Sequence, residues 1–109
     1  MTSANIKTLL HRVKNNPADL FSKFALALEL INIQKNDEAI LLFEDIILRD
    51  PEYVGVYYHL GGQYQFKNEN IKAIETYKQG IAVAERLRDV HAKSELATAL
   101  LTIQLETEE

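Results

Sequence analysis

The sequence predicts an all-α fold, an antiparallel helix-hairpin solenoid of about six helices. Its two prolines, Pro17 and Pro51, mark the same point in two copies of one pattern, and the distance between them is the repeat period. When the chain is shifted against itself by that period, small residues fall on small residues, and large apolar or aromatic residues fall on residues of the same kind. The matched pairs are Leu26 and Leu60, Ala27 and Gly61, Leu30 and Tyr64, Ala39 and Ala73, Ile40 and Ile74, and Phe43 and Tyr77. A repeat of this length is typical of stacked supersecondary units rather than of one closed core.

Composition narrows the class of protein. Of the 109 residues, 47% are hydrophobic and 26% are charged, which is ordinary for one globular domain and excludes wholesale disorder. The net charge of −4 argues against nucleic acid or an anionic membrane as the main partner. The absence of cysteine excludes disulfides and thiolate metal sites. The sequence has no signal-peptide pattern and no apolar run long enough to cross a bilayer, so we expect a soluble cytoplasmic protein.

Helical periodicity runs through most of the chain. Apolar residues recur every three or four positions, as Leu96, Leu100 and Ile103 do in the last segment. Each proline disfavours helical geometry in the residue before it, and Asp89 offers a cap for the final helix. We therefore expect helices over residues 3–14, 18–34, 38–49, 53–66, 71–88 and 90–106.

These helices are expected to form a single domain over residues 1–109. It consists of a capping helix at 1–16, repeats at 17–50 and 51–88, and a C-terminal capping helix at 89–109. The turn at residues 35–37 is expected to include a residue that caps the helix after it.

Three glycines lie inside predicted helices, at Gly61, Gly62 and Gly80. Each costs about 1 kcal/mol of helix stability relative to alanine. Ala27, another small residue, occupies the place of Gly61 in the earlier copy. The glycines therefore predict close approach of neighbouring helices, which a larger side chain would prevent.

The second copy of the repeat resembles the tetratricopeptide repeat. It contains Tyr57-x2-Leu60-Gly61-x2-Tyr64 followed by Ala73-x3-Tyr77. The first copy departs from that pattern, because Lys23 replaces the leading aromatic residue and Leu30 replaces the tyrosine. The resemblance assigns a structural role to Leu26, Ala27, Ala39, Phe43, Pro51, Tyr57, Leu60, Gly61, Tyr64, Ala73 and Tyr77.

The resemblance also implies a non-catalytic scaffold that binds a protein, as an extended peptide or a helix, in a concave groove. The groove positions that it assigns are Phe21, Phe24, Leu28, Ile31, Tyr58 and Gln65. Some members of the family clamp a terminal carboxylate with lysine and asparagine. Here those places hold Phe24, Leu28, Tyr58 and Gly62. The clamp is therefore absent, and we expect an apolar, aromatic groove.

Other functions stay open at this point. The groove is expected to be covered by the terminal helix at residues 90–106, by a second copy of the chain in a structural homodimer, or by a foreign partner. A small helical enzyme or ligand-binding bundle is the alternative from another class. His11, His59 and His91 have no paired spacing that would bind a metal, so we expect neither a metal nor a cofactor.

Overall fold

A computed structural model describes residues 2–108 of the chain, with side chains for residues 5–108. Met1 and Glu109, the outermost residues of the two predicted capping segments, lie outside the described residues. The described chain contains no strand. Its helices are α1 (Thr2–Asn15), α2 (Leu20–Asn32), α3 (Asn36–Arg49), α4 (Gly55–Phe66), α5 (Asn70–Leu87) and α6 (Val90–Thr107). The prediction of an all-α chain of six helices is confirmed.

The helices form two compact units, the first ending at Asp50 and the second beginning at Pro51. In the first unit, α1 and α3 both pack against α2. In the second unit, α4 and α6 both pack against α5, and α6 also contacts α4. The division falls at the predicted boundary between the two repeats. The assignment of a single domain with two full repeats and two capping helices stays a prediction.

Equivalent turns close the two hairpins. Gln34 (φ 65°) and Asn68 (φ 62°) both have left-handed backbone conformations and are separated by the same repeat period as the two prolines. The residue after each donates its N–H to a carbonyl oxygen five residues earlier, at Leu30 and at Tyr64, over 2.8 Å in both cases. Arg88 (φ 58°) ends α5 with the same type of bond. This is the Schellman arrangement, which satisfies carbonyls left unpaired at a helix end. The sequence repeat is thus also a repeat of backbone geometry.

Each unit has a core made of the residues that the repeat pattern places on the inner faces. The predicted structural positions are buried except Pro51, which is exposed in the turn before α4. The core also includes residues outside that pattern, namely Ile46, Val56, Val83, Ala84, Leu96 and Ile103.

Two of the three helix glycines allow close packing. A Cβ atom at Gly61 would lie 2.3 Å from Cε1 of Tyr77, and one at Gly80 would lie 2.6 Å from Cβ of Tyr57. At Gly62 a Cβ atom would have nothing within 4 Å. The prediction of close helix approach is therefore wrong for Gly62, whose side of α4 faces open space.

The start of α2 differs from the prediction because of a side-chain cap. Asp19 accepts a hydrogen bond from the backbone N–H of Ser22 over 3.1 Å, so the helix begins at Leu20, two residues later than expected. The turn before α3 has no such cap. Lys35 occupies the N-cap position without a capping side-chain bond, and α3 already begins at Asn36. The prediction of a capping residue in the turn at 35–37 is therefore wrong.

The fourth and sixth helices differ in how well their starts were predicted. α4 begins at Gly55, two residues later than expected, because Tyr53 and Val54 still belong to the turn. α6 begins at Val90 as predicted. The side chain of Asp89 accepts a hydrogen bond from the N–H of Ala92 over 3.0 Å, so the predicted cap is confirmed.

Candidate functional site

The second unit contains a cavity of about 540 Å³ among α4, α5 and α6. Tyr58, Gly62 and Gln65 line it from α4, and Tyr77 lines it from α5. The side chains that α6 contributes are mostly polar and recur every three or four residues: His91, Ser94, Glu95, Thr98 and Thr102. On α6, Leu96 and Ile103 are buried. The helix therefore buries an apolar stripe while turning a polar face to the cavity.

Two of the predicted groove residues, Tyr58 and Gln65, lie together in this cavity. The apolar character of the groove stays a prediction, and α6 adds a wall of mostly polar side chains that was not predicted. The predicted role of the segment at 89–109 as a capping helix rests only on its apolar residues. The sequence nevertheless indicates a polar helix face here, because Ser94, Thr98 and Thr102 are spaced four residues apart.

A hydrogen bond fixes one side of the cavity. The hydroxyl of Tyr77 donates to Oε1 of Gln65 over 2.9 Å. Burial raises the pKa of Tyr77, and the nearby Tyr58 raises it further. Tyr77 therefore stays neutral near pH 7 and remains a hydrogen-bond donor to Gln65.

The cavity also has aromatic and acidic side chains in its lining. Tyr58 is 40% exposed, and its ring packs edge-on against the imidazole of His59, with 5.6 Å between the ring centroids. Burial lowers the pKa of His59, although the charge of Glu95 acts in the other direction. Nε2 of His91 lies 3.8 Å from Oε2 of the same glutamate. His59 is thus neutral near pH 7 beside a carboxylate.

No lysine or arginine occurs among the described residues that line this cavity. Tyr58 and Gly62, to which the family resemblance assigns two of the clamp positions, provide no positive charge. The cavity therefore has nothing to neutralise the terminal carboxylate of a ligand.

The predicted groove residues of the first unit have different environments. Phe21 is 71% exposed, whereas Phe24 is half-buried with its ring centroid 6.0 Å from that of Phe43 in the same hairpin. Ile31 is half-buried. Leu28 lines a cavity of about 430 Å³ between α1 and α2. Phe24 therefore also contributes to hairpin packing, and Phe21 has the most accessible surface of the four.

The described part of the chain has neither a cluster of metal-binding side chains nor a helix suited to crossing a membrane. Within it, no three histidine, aspartate or glutamate side chains come close enough to hold a metal ion. None of its helices combines the length and the apolar character that crossing a bilayer requires.

Helix hairpins whose turns recur at one fixed period define a class of helical-repeat proteins. The crystal structure of a tetratricopeptide repeat domain protein from Salinibacter ruber is 41% identical in sequence. It matches 79% of this chain and 96% of its own, with a TM-score of 0.76. The chain belongs to the tetratricopeptide repeat family.

Further solved structures share the fold. The solution structure of a tetratricopeptide repeat domain protein from Salinibacter ruber is also 41% identical, covering 81% of this chain and 89% of its own at a TM-score of 0.77. The TPR2B domain of yeast Sti1, in its pHsp70 complex, has a TM-score of 0.85 at 19% identity, covering 93% of this chain and 81% of its own. No protein-family model and no curated protein matches the chain.

Proposed function

We propose that this chain is a non-catalytic protein–protein interaction module whose ligand is a peptide or helix of another protein. The observation that carries the proposal is the cavity of about 540 Å³ in the second unit, where an accessible tyrosine lies beside several hydrogen-bonding side chains. Tyrosine supplies a large contact area at a low cost in conformational entropy, and the polar groups around it fix the orientation of a ligand. The domain of yeast Sti1 in its pHsp70 complex supports a peptide as the ligand class.

In this proposal, Tyr58 and Gln65 contact the ligand directly. The predicted contact residues of the first unit are Phe21, Phe24, Leu28 and Ile31. Among these, Phe21 offers the largest exposed fraction, at 71%. A bound peptide gains affinity by covering such side chains, because apolar surface is removed from water.

Panning a library of random peptides against the immobilised chain tests the proposal. We expect enriched peptides whose affinity falls about tenfold for Tyr58→Ala. Phe66→Ala is the matched control, because Phe66 is an aromatic residue of the same helix, is 72% exposed and lies outside the cavity lining. Failure to enrich any peptide, or equal losses for the two variants, would count against the site.

Self-association is the second candidate function. It is favoured by the exposure of large apolar side chains, including Leu48 (81%) and Phe66 (72%). Light scattering over a range of concentrations tests it. A dimer that Tyr58→Glu splits supports self-association through the cavity, whereas a monomer at the highest concentration reached argues against it.

A further inference from the structure

Two hydroxyl groups that line the cavity of the second unit donate their protons within the chain. The hydroxyl proton of Tyr77 is donated to Gln65, and the hydroxyl of Thr102 donates to the backbone carbonyl of Thr98 over 2.9 Å. Because the protons of these two hydroxyls are used within the chain, their oxygen lone pairs are what they offer to a ligand. At these two positions the surface is matched to a ligand group that donates hydrogen bonds.

The charge in the cavity has one sign near neutral pH. Glu95 contributes a carboxylate, and the described lining contains no lysine or arginine. The neighbouring His59 does not offset this charge, since its burial favours the neutral imidazole. His91 pairs with the glutamate only when it is protonated. The negative charge of the cavity therefore favours the binding of a positively charged group.

Aromatic rings add a third feature. Tyr58 and Tyr77 both line the cavity, and Tyr58 is 40% exposed. The face of a tyrosine ring attracts an ammonium or guanidinium group that lies within about 6 Å of its centroid. An accessible ring beside a carboxylate is therefore suited to a cationic side chain with an apolar stem.

We propose that the cavity binds a lysine or arginine side chain of the peptide ligand, with Glu95 pairing its charge and Tyr58 contacting its stem. Lysine and arginine side chains donate hydrogen bonds and accept none, which matches the carboxylate of Glu95 and the hydroxyl oxygens of Tyr77 and Thr102. The inference rests on the proposed function, because it names the ligand residue that the same site recognises. It reverses the charge preference of relatives that clamp a terminal carboxylate.

Capped pentapeptides of alanine with one variable central residue provide the probe. The central residue is arginine, lysine, citrulline, norleucine or glutamate, where citrulline and norleucine keep the shape but lack the charge. Each peptide is titrated into the isotopically labelled full chain at about pH 8, well above the pKa of an ordinary imidazole. We expect the arginine and lysine peptides to shift backbone amide resonances of α4 and α6 around the cavity. The uncharged and acidic peptides should bind at least about fivefold more weakly.

Matched variants assign the effect to Glu95. Glu95→Gln is expected to weaken binding of the arginine peptide about fivefold, whereas Glu106→Gln, on the same helix but outside the cavity lining, should leave it unchanged. Circular dichroism confirms that both variants remain helical. Equal binding of the arginine and citrulline peptides, or equal losses in the two variants, would overturn the inference.

The outcome also separates this inference from the proposed function. If library-selected peptides bind at the cavity without any basic residue, the cationic specificity is overturned and the interaction module stands. If neither the pentapeptides nor any library peptide binds, the cationic specificity and the proposed function are both overturned.

Discussion

The ammonium group of Lys23 pairs with Oδ2 of Asp45 across the α2–α3 hairpin, although only 4% of Lys23 is exposed. Nε of Arg49, one turn further along α3, donates to the same oxygen over 2.9 Å. Lys23 precedes Tyr57 by one repeat period, so it occupies the place of the leading aromatic residue in the first copy of the repeat. The first hairpin thus has an ion pair where the second has a buried ring.

Replacing Asp45 should lower the free energy of unfolding more than replacing Lys23 does. Asp45→Ala leaves a buried ammonium group without its partner, and we expect a loss of about 2 kcal/mol in the free energy of unfolding. The loss stays below that of a fully buried pair, because the side chain of Asp45 is 34% exposed. Lys23→Met keeps an apolar stem of similar length and leaves Asp45 paired with Arg49, so it should cost less. Urea denaturation of both variants measures the difference, and equal losses would contradict this account.

The same ion pair makes stability depend on pH. The hydrogen bond from Lys23 lowers the pKa of Asp45, and a hydrogen bond from Arg49 contributes to the shift. The folded state therefore binds this proton less readily than the unfolded state, so the stabilisation is present above about pH 4 and is lost as the pH falls through the folded pKa. Asp45→Asn lacks this contribution at every pH.

We expect the difference in unfolding free energy between wild type and Asp45→Asn to be largest near pH 7 and to shrink below about pH 4. Thermal or urea unfolding across this range measures it. A difference that stays constant from neutral to acidic pH would show that the charge of Asp45 does not stabilise the fold.

The repeat period made the fold predictable, because the spacing of the prolines and of the small and aromatic residues is itself the signature of paired helices. The prediction was weaker at local details. A cap such as Asp19 or an uncapped start such as that of α3 depends on one side-chain bond, which periodicity does not reveal.

The candidate site was only partly predictable for a different reason. Tyr58 and Gln65 followed from the family resemblance, but Glu95 belongs to α6, which lies outside the two matched repeats. Its position in the cavity depends on how α6 packs against α4 and α5. α6 does not follow the second copy of the repeat at the repeat period. The register that predicted the other residues therefore does not place Glu95 in the cavity.

A hydrogen bond to the turn before α4 adds to the stability of the second unit. The hydroxyl of Tyr57 donates to the backbone carbonyl of Pro51 over 2.6 Å, and Tyr57 is only 3% exposed. Tyr57→Phe keeps the ring and removes this donor, so we expect a loss of about 1 kcal/mol in urea denaturation. Tyr58→Phe is the control, because Tyr58 is far more exposed and the change should cost less. A larger loss for Tyr58→Phe than for Tyr57→Phe would contradict the assignment.

Two adjacent glycines of α4 should respond to alanine with opposite signs. At Gly61 the added Cβ atom would lie 2.3 Å from the buried ring of Tyr77, so the hairpin must shift, and we expect a loss of about 1–3 kcal/mol in the free energy of unfolding.

At Gly62 the Cβ atom meets nothing within 4 Å, so the gain in helix propensity is not opposed by a clash. We expect Gly62→Ala to raise the free energy of unfolding by about 0.5–1 kcal/mol. The two variants share the helix and the chemical change, so the difference between their unfolding free energies measures the effect of close packing at Gly61. Thermal unfolding of the pair measures it, and stabilisation by Gly61→Ala would refute the role of Gly61 in the close approach of α4 and α5.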